Sequence, residues 1–182
     1  MTKTTYQIHI SLKGSKPKIW RRILVPSDLL LYDFHDIIQI TMGWSDSHLF
    51  QFKKNKTYYA ADVEEEEFWG NIKIVDCEGI KISDLLKKEK DKIIYEYDFG
   101  DSWIHDIVLE KITDNIPNKK IPICLAGKNN CPPEDCGGIW AYNEMIKVLS
   151  NPEHEEYEEY IEWFGEEFDP EYFNKKEINE ML

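Results

Sequence analysis

The stretch "IIYEYDFGDSWIHDIVL", Ile93 to Leu109, decides the fold. Apolar and polar residues alternate on both sides of a Gly-Asp turn, the pattern of two half-buried strands joined as a hairpin. Ile93, Tyr95, Tyr97 and Phe99 share one face of the first strand. Trp103, His105, Ile107 and Leu109 share one face of the second. A two-residue turn at Gly100-Asp101 would set Asp98 opposite Trp103 and Glu96 opposite His105. A three-residue loop, Gly100 to Ser102, sets Phe99 opposite Trp103 and Tyr97 opposite His105. Only the longer loop joins the two apolar faces, so it is the expectation. Its one defect is Glu96 beside Asp106. His105 then points into the aromatic face and Asp98 to the opposite one.

The flanking chain reads in the same way. Tyr6, Ile8, Ile10 and Leu12 alternate with polar residues as a strand, and "IWRRILV", Ile19 to Val25, reads as its hairpin partner. Pro26-Ser27-Asp28 opens a helix whose stripe is Leu31, Phe34, Ile38 and Met42, with His35 and Asp36 at the stripe's edge. Gly43 ends it. Trp44 to Asn55 holds a strand, with Tyr58-Tyr59-Ala60 as its return. Asp62 to Glu67 is an acidic loop, Ile72 to Val75 a weak strand, and Ile82 to Lys88 a short helix capped by Ser83. Pro117 to Pro133 reads as irregular. Beyond Gly137-Gly138, Tyr142, Met145, Ile146 and Leu149 have helical spacing. A second helix begins near Pro152, with Tyr157, Tyr160, Ile161 and Phe164 as its stripe and Gly165 as its end. Asp169-Pro170 reads as a cap with a first-turn proline, and Asn174 with Glu177 as a capping box. The expected fold is α+β: an antiparallel sheet with one packed helix in the N-terminal two thirds and a helical C-terminal third, in a single domain over 1–182.

Composition bounds the function. The net charge is −13, and residues 151–182 carry twelve acids and two lysines, leaving −3 for the remainder. That balance argues against tight duplex DNA binding and favours a protein partner over nucleic acid. No apolar run is long enough to span a membrane, and MTKTTYQIHI lacks a leader's apolar core, so a cytoplasmic protein is expected. In that compartment Cys77, Cys124, Cys131 and Cys136 are expected as thiols. The sequence does not set the oligomeric state.

Two site chemistries compete with structural readings of the same residues. Cys131 and Cys136, joined through the fold by Cys124, His48 and His105, have the donors zinc prefers, but no CxxC pair is present and no cofactor is expected. Asp98, Asp101, Glu134 and Asp135 with His48 would instead suit a hard cation or acid–base work. Against these stand turn chemistry for Asp98 and Asp101, packing for His105, and helix-dipole capping for Glu134 and Asp135. Gly137-Gly138 before a helix also has the form of an anion cradle, without a Walker fingerprint.

Five blocks then carry a resemblance: "KPKIWRRILVP", "DFHDIIQITMGWSDSHLFQF", "YEYDFGDSWIHDIVLEKI", "CLAGKNNCPPEDCGGIWAY" and "WFGEEFDPEYFN". In this order, from about Tyr6 to Leu182, the chain resembles the plasmid pRiA4b ORF-3-like family. Leu30 departs from it, standing where a capping threonine is common. The resemblance implies an α+β fold, carriage by plasmids and insertion elements, and no assigned activity. A resolvase-like label attached to some members does not fit, because this chain has only two arginines, Arg21 and Arg22, and no clustered arginines around a nucleophilic serine. The leading expectation is a non-catalytic binding or accessory module. The alternative is a metal-dependent hydrolase using a His/Cys/carboxylate site. The candidate polar residues are His48, Asp98, Asp101, His105, Glu134 and Asp135.

Overall fold

The alternating segments pair into one mixed nine-stranded sheet, ordered β5-β6-β4-β3-β7-β8-β1-β2-β9. The strands are β1 (Thr4–Leu12), β2 (Trp20–Pro26), β3 (Phe50–Lys54), β4 (Thr57–Ala60), β5 (Glu67–Trp69), β6 (Ile72–Asp76), β7 (Lys92–Tyr97), β8 (Trp103–Asp114) and β9 (Ile123–Lys128). The helices are α1 (Leu31–Met42), α2 (Ile82–Leu85), α3 (Gly138–Leu149), α4 (Tyr157–Phe164) and α5 (Lys175–Met181). This computed structural model describes residues 4–61, 63, 67–114, 120–164 and 168–182, with backbone alone at 67–69 and 164. Most of the acidic run from Asp62, the apolar contribution of Phe164, and Gly165 as a helix end lie outside the described residues.

The α+β class holds, with three corrections. The sheet is not wholly antiparallel, because β4 and β6 run parallel. The N-terminal two thirds hold α2 as well as α1. The last third is not purely helical, because β9 forms the edge of the sheet beside β2. The segment before Pro133 reads as irregular because of its prolines and lysines, but Ile123–Lys128 is held as a strand by pairing with β2. A side chain would not fit at Gly127, where a Cβ would lie 2.4 Å from the Phe173 ring and 2.9 Å from Arg21.

The central hairpin keeps the expected faces but not the expected register. Tyr97 pairs with Trp103 and Tyr95 with His105, so the loop spans Asp98 to Ser102 and Phe99 leaves the strand to stand half-exposed. The two-residue slip preserves every side chain's face, which is why the apolar pattern could not detect it. It also removes the like-charge clash: Glu96 faces Ile104, and Asp106 faces Ile94. Asp98 and Ser102 adopt φ of 55° and 54°, which closes the longer loop.

Helix α1 lays Leu31, Phe34, Ile38 and Met42 on the core, where all are buried. It starts at Leu31 rather than near Pro26, and Leu30 supplies no side-chain cap. Gly43, at φ 93°, closes it through its N–H to Gln39 O at 2.8 Å. His35 is not at the stripe's edge but fully buried. One ring nitrogen contacts Asp46 Oδ1 at 2.7 Å and the other the Tyr95 hydroxyl at 2.8 Å, so the core accepts it with both nitrogens bonded. Arg21 is buried at the other end of α1. It donates to Thr41 O at 2.7 Å, Lys128 O at 3.0 Å and Trp20 O at 2.9 Å. A cation against last-turn carbonyls complements the helix dipole.

Several helix starts are also corrected. Asp84, not Ser83, serves the start of α2, accepting from Lys81 N at 2.9 Å. The turn after Pro152 delays α4 to Tyr157, and Asp169-Pro170 forms a turn rather than a helix. The Asn174 cap is present, accepting from the N–H groups of Lys176 and Glu177. From α5, Asn179 grips the outer edge of β9, its amide accepting from Cys124 N at 2.7 Å and donating to Cys124 O at 3.0 Å. Replacing Asn179 with Ala should cost about 1–2 kcal/mol, the net value of two hydrogen bonds. Urea unfolding with an unchanged slope would read it; no change in midpoint would show that α5 contributes nothing to the edge.

Candidate functional site

Three loops converge beyond one end of the central strands. The loop between α1 and β3 brings Ser45 and His48. The β7–β8 loop brings Asp98 and Asp101. The segment between β9 and α3 brings Cys131 to Gly137. The last two hold "YDFGDSWIH" and "CPPEDCGG", and they are bonded directly. Asp101 Oδ2 accepts from Gly137 N at 3.0 Å, and the Tyr97 hydroxyl donates to Glu134 Oε1 at 3.1 Å. Gly138, at φ 78°, lets the backbones touch, since a Cβ there would lie 2.6 Å from Asp101 O. The N-terminus of α3 is therefore served by a carboxylate of the chain itself, in place of the external anion that Gly137-Gly138 suggested.

Glu134 is pinned on one side. Its Oε1 accepts from Ser45 N at 2.9 Å, from Ser45 Oγ at 3.2 Å and from Tyr97. The buried phenol of Tyr97, facing this carboxylate, has its pKa raised, first by burial and then by the charge of Glu134. Ser47 N donates to the same phenol oxygen at 3.0 Å. That leaves Glu134 Oε2, buried and without a hydrogen-bond partner among the described residues.

Across from it stands His48. Its Nε2 is also buried and also lacks a partner in hydrogen-bonding geometry. Around that nitrogen lie Asp135 Oδ1 at 3.2 Å, Asp98 Oδ2 at 3.8 Å and Glu134 Oε2 at 3.9 Å. The ring is held edge-on against Tyr97, with centroids 5.8 Å apart. Asp98 is buried at φ 55°, and its Oδ1 accepts from Gly100 N at 2.9 Å. The turn chemistry thus occupies one oxygen and leaves the other facing His48. Asp135 is 75% exposed and opens the cluster to solvent.

The structure therefore brings His48, Asp98, Glu134 and Asp135 together. Asp101 stands behind them as the tie to α3. His105 lies apart, fully buried, with Nδ1 3.0 Å from Trp103 O and its ring against Trp44. Burial pushes its pKa down to about 3, against the raising effect of the Trp103 and Tyr95 backbone. The cysteines take no part. Cys131 Sγ packs 3.2 Å from Met42 Sδ, and burial lifts its pKa to about 11. Burial, with Asp101 nearby, lifts that of Cys136 to about 12. Both thiols stay protonated at neutral pH, and among the described residues neither joins a metal-sized cluster. Reading the sequence alone missed Ser45 and Tyr97. Their service to Glu134 depends on loop convergence that no local pattern encodes.

An α+β protein with a helix-backed mixed sheet and a His/carboxylate cluster where three loops meet is the class these features define. Residues 4–177 match the family described as "Plasmid pRiA4b ORF-3-like protein", and the chain belongs to that family. It is 31% identical to an uncharacterised protein, y4hQ, of Sinorhizobium fredii, in a match covering all of this chain and 92% of that one. A crystal structure of a protein of unknown function, MM3350 of Methanosarcina mazei Go1, superposes with a TM-score of 0.86 at 38% identity, covering 97% of this chain and 98% of that one.

Proposed function

We propose that this protein is a binding module organised by a divalent cation held between His48, Asp98 and Asp135, whose ligand atoms all lie within 4.8 Å of one another. The observation that carries the reading is the buried His48 Nε2, which makes no hydrogen bond among the described residues yet has Asp135 Oδ1 at 3.2 Å and Asp98 Oδ2 at 3.8 Å. Leaving such an atom without a hydrogen bond costs on the order of 1–3 kcal/mol, and an ion shared with the two carboxylates relieves it. Ligand atoms about 2.1 Å from one ion stand roughly 3.0–3.4 Å apart. The separations of 3.2 and 3.8 Å from Nε2 to Asp135 and Asp98 need only a small contraction to meet that. One imidazole with two carboxylates is a borderline donor set, suited to zinc or manganese. Such an ion would tie together three loops from distant parts of the chain, a structural role consistent with an accessory module.

The test is metal analysis after loading with Zn²⁺ or Mn²⁺ and desalting, with titration calorimetry in parallel. One ion per chain is expected, and His48→Ala should weaken its binding at least tenfold. An ion at one hundred times its Kd should stabilise the fold by about 2.7 kcal/mol. Absence of stoichiometric binding by either ion, or binding unaltered in His48→Ala, would sink the reading.

A further inference from the structure

Asp135 faces two ways: it also lines a cleft of about 690 Å³ between α3 and α4. The two helices dictate its character. From α3 come Ala141 and Met145, one turn apart. From α4 come Tyr160 and Trp163, three apart and on one face, with Trp163 half-exposed. Glu159 and Glu162 flank them in sequence and line the same cleft. Three carboxylates thus share the cleft with four largely apolar side chains, and among the described residues no Lys, Arg or His lines it.

This combination selects its occupant by exclusion. An anion meets three negative charges. A wholly apolar ligand would strip water from those carboxylates and give nothing back. A long cationic side chain satisfies both surfaces, its methylenes on Met145 and Tyr160 and its head among the carboxylates or over the indole. The volume lies within the range of pockets that enclose small ligands, enough for one or two such side chains. The helix itself points the same way, because α4 carries Glu158, Glu159 and Glu162 with no Lys or Arg among its eight residues, a charge that would draw a basic partner.

We propose that the α3–α4 cleft docks a lysine- or arginine-bearing segment of a partner protein. The cleft shares Asp135 with the proposed cation site, so the inference is tested with the full chain in chelator, where no bound ion neutralises that carboxylate. The probe is a fluorescein-labelled nine-residue peptide containing four arginines, followed by anisotropy at 150 mM salt, with an acidic peptide of equal length as control. The expected result is saturable binding of the basic peptide alone. Glu159→Gln/Glu162→Gln together should weaken it at least tenfold. Trp163→Leu, which keeps apolar bulk but removes the π face, should weaken it severalfold. Circular dichroism confirms that the variants remain folded. Equal binding to the variants would mean diffuse attraction to the acidic surface, and would overturn the proposal. So would binding of the acidic peptide, or no binding of the basic peptide at 1 mM.

Discussion

Replacing Gly138 with Ala is expected to destabilise the protein by more than about 3 kcal/mol, the largest single-site effect anticipated here. Two causes add. Left-handed backbone costs a residue with a Cβ roughly 1–3 kcal/mol, and Gly138 sits at φ 78°. The new methyl would also stand 2.6 Å from Asp101 O, a backbone atom that cannot rotate away. Relief would push α3 off the β7–β8 loop, breaking the Asp101–Gly137 bond and dispersing the His48 cluster. Gly79 supplies the control: its φ is 72°, but nothing lies within 4 Å of its Cβ position. Gly79→Ala should therefore show only the conformational cost, about 1–2 kcal/mol. Urea midpoints of the two variants separate clash from strain. Equal losses would show that the approach of Asp101 to Gly138 is looser than described.

His105 is expected to make stability fall with acid. In the folded chain its pKa is driven down to about 3 by burial, with no compensating carboxylate. In the unfolded chain it titrates near 6.5. The neutral ring is the folded form, so its contribution is intact above about pH 6.5 and is lost as pH falls toward 3. Between pH 7 and pH 5 the unfolded chain takes up the proton alone, which removes roughly 2 kcal/mol of stability. His35, also buried and with lowered pKa, adds to the same slope, so the measurement is a difference. His105→Gln should flatten the stability–pH profile relative to the native chain while retaining a donor for Trp103 O. His105→Ala should flatten it too, and in addition cost about 2–4 kcal/mol at every pH through lost packing. A His105→Gln profile parallel to that of the native chain would show that the imidazole is not the titrating group.

What the sequence made legible follows from the range of each signal. Period two placed β1, β7 and β8, because alternation is local, and β2 followed as the hairpin partner of β1. The hairpin register escaped, because a slip of two leaves that alternation unchanged, and it is settled instead by the left-handed Asp98 and Ser102. β9 escaped because it is a strand through pairing with the distant β2, which no local pattern carries. The site was legible as a set of residue types. His48, Asp98, Glu134 and Asp135 are polar groups in stiff loops, and such groups need partners. Their grouping was not legible, since it arises from the joining of α3 to the β7–β8 loop. His105 and the cysteines show the converse: good ligand types that the core keeps dry and neutral.

The position of β1 has a kinetic consequence. β1 lies inside the sheet, third from the β9 edge, between β2 and β8. Its partner across one edge is its hairpin neighbour. Across the other, Thr4 meets Asp114 and Leu12 meets His105, on the order of 100 residues later in the chain. During synthesis the nascent hairpin must therefore hold an open apolar face and a free backbone edge until β7 and β8 emerge. At about 5–20 residues per second, that wait lasts several seconds or more. Folding should be slow for the chain's size, limited by this long closure, and the β1–β2 hairpin is where a chaperone would act.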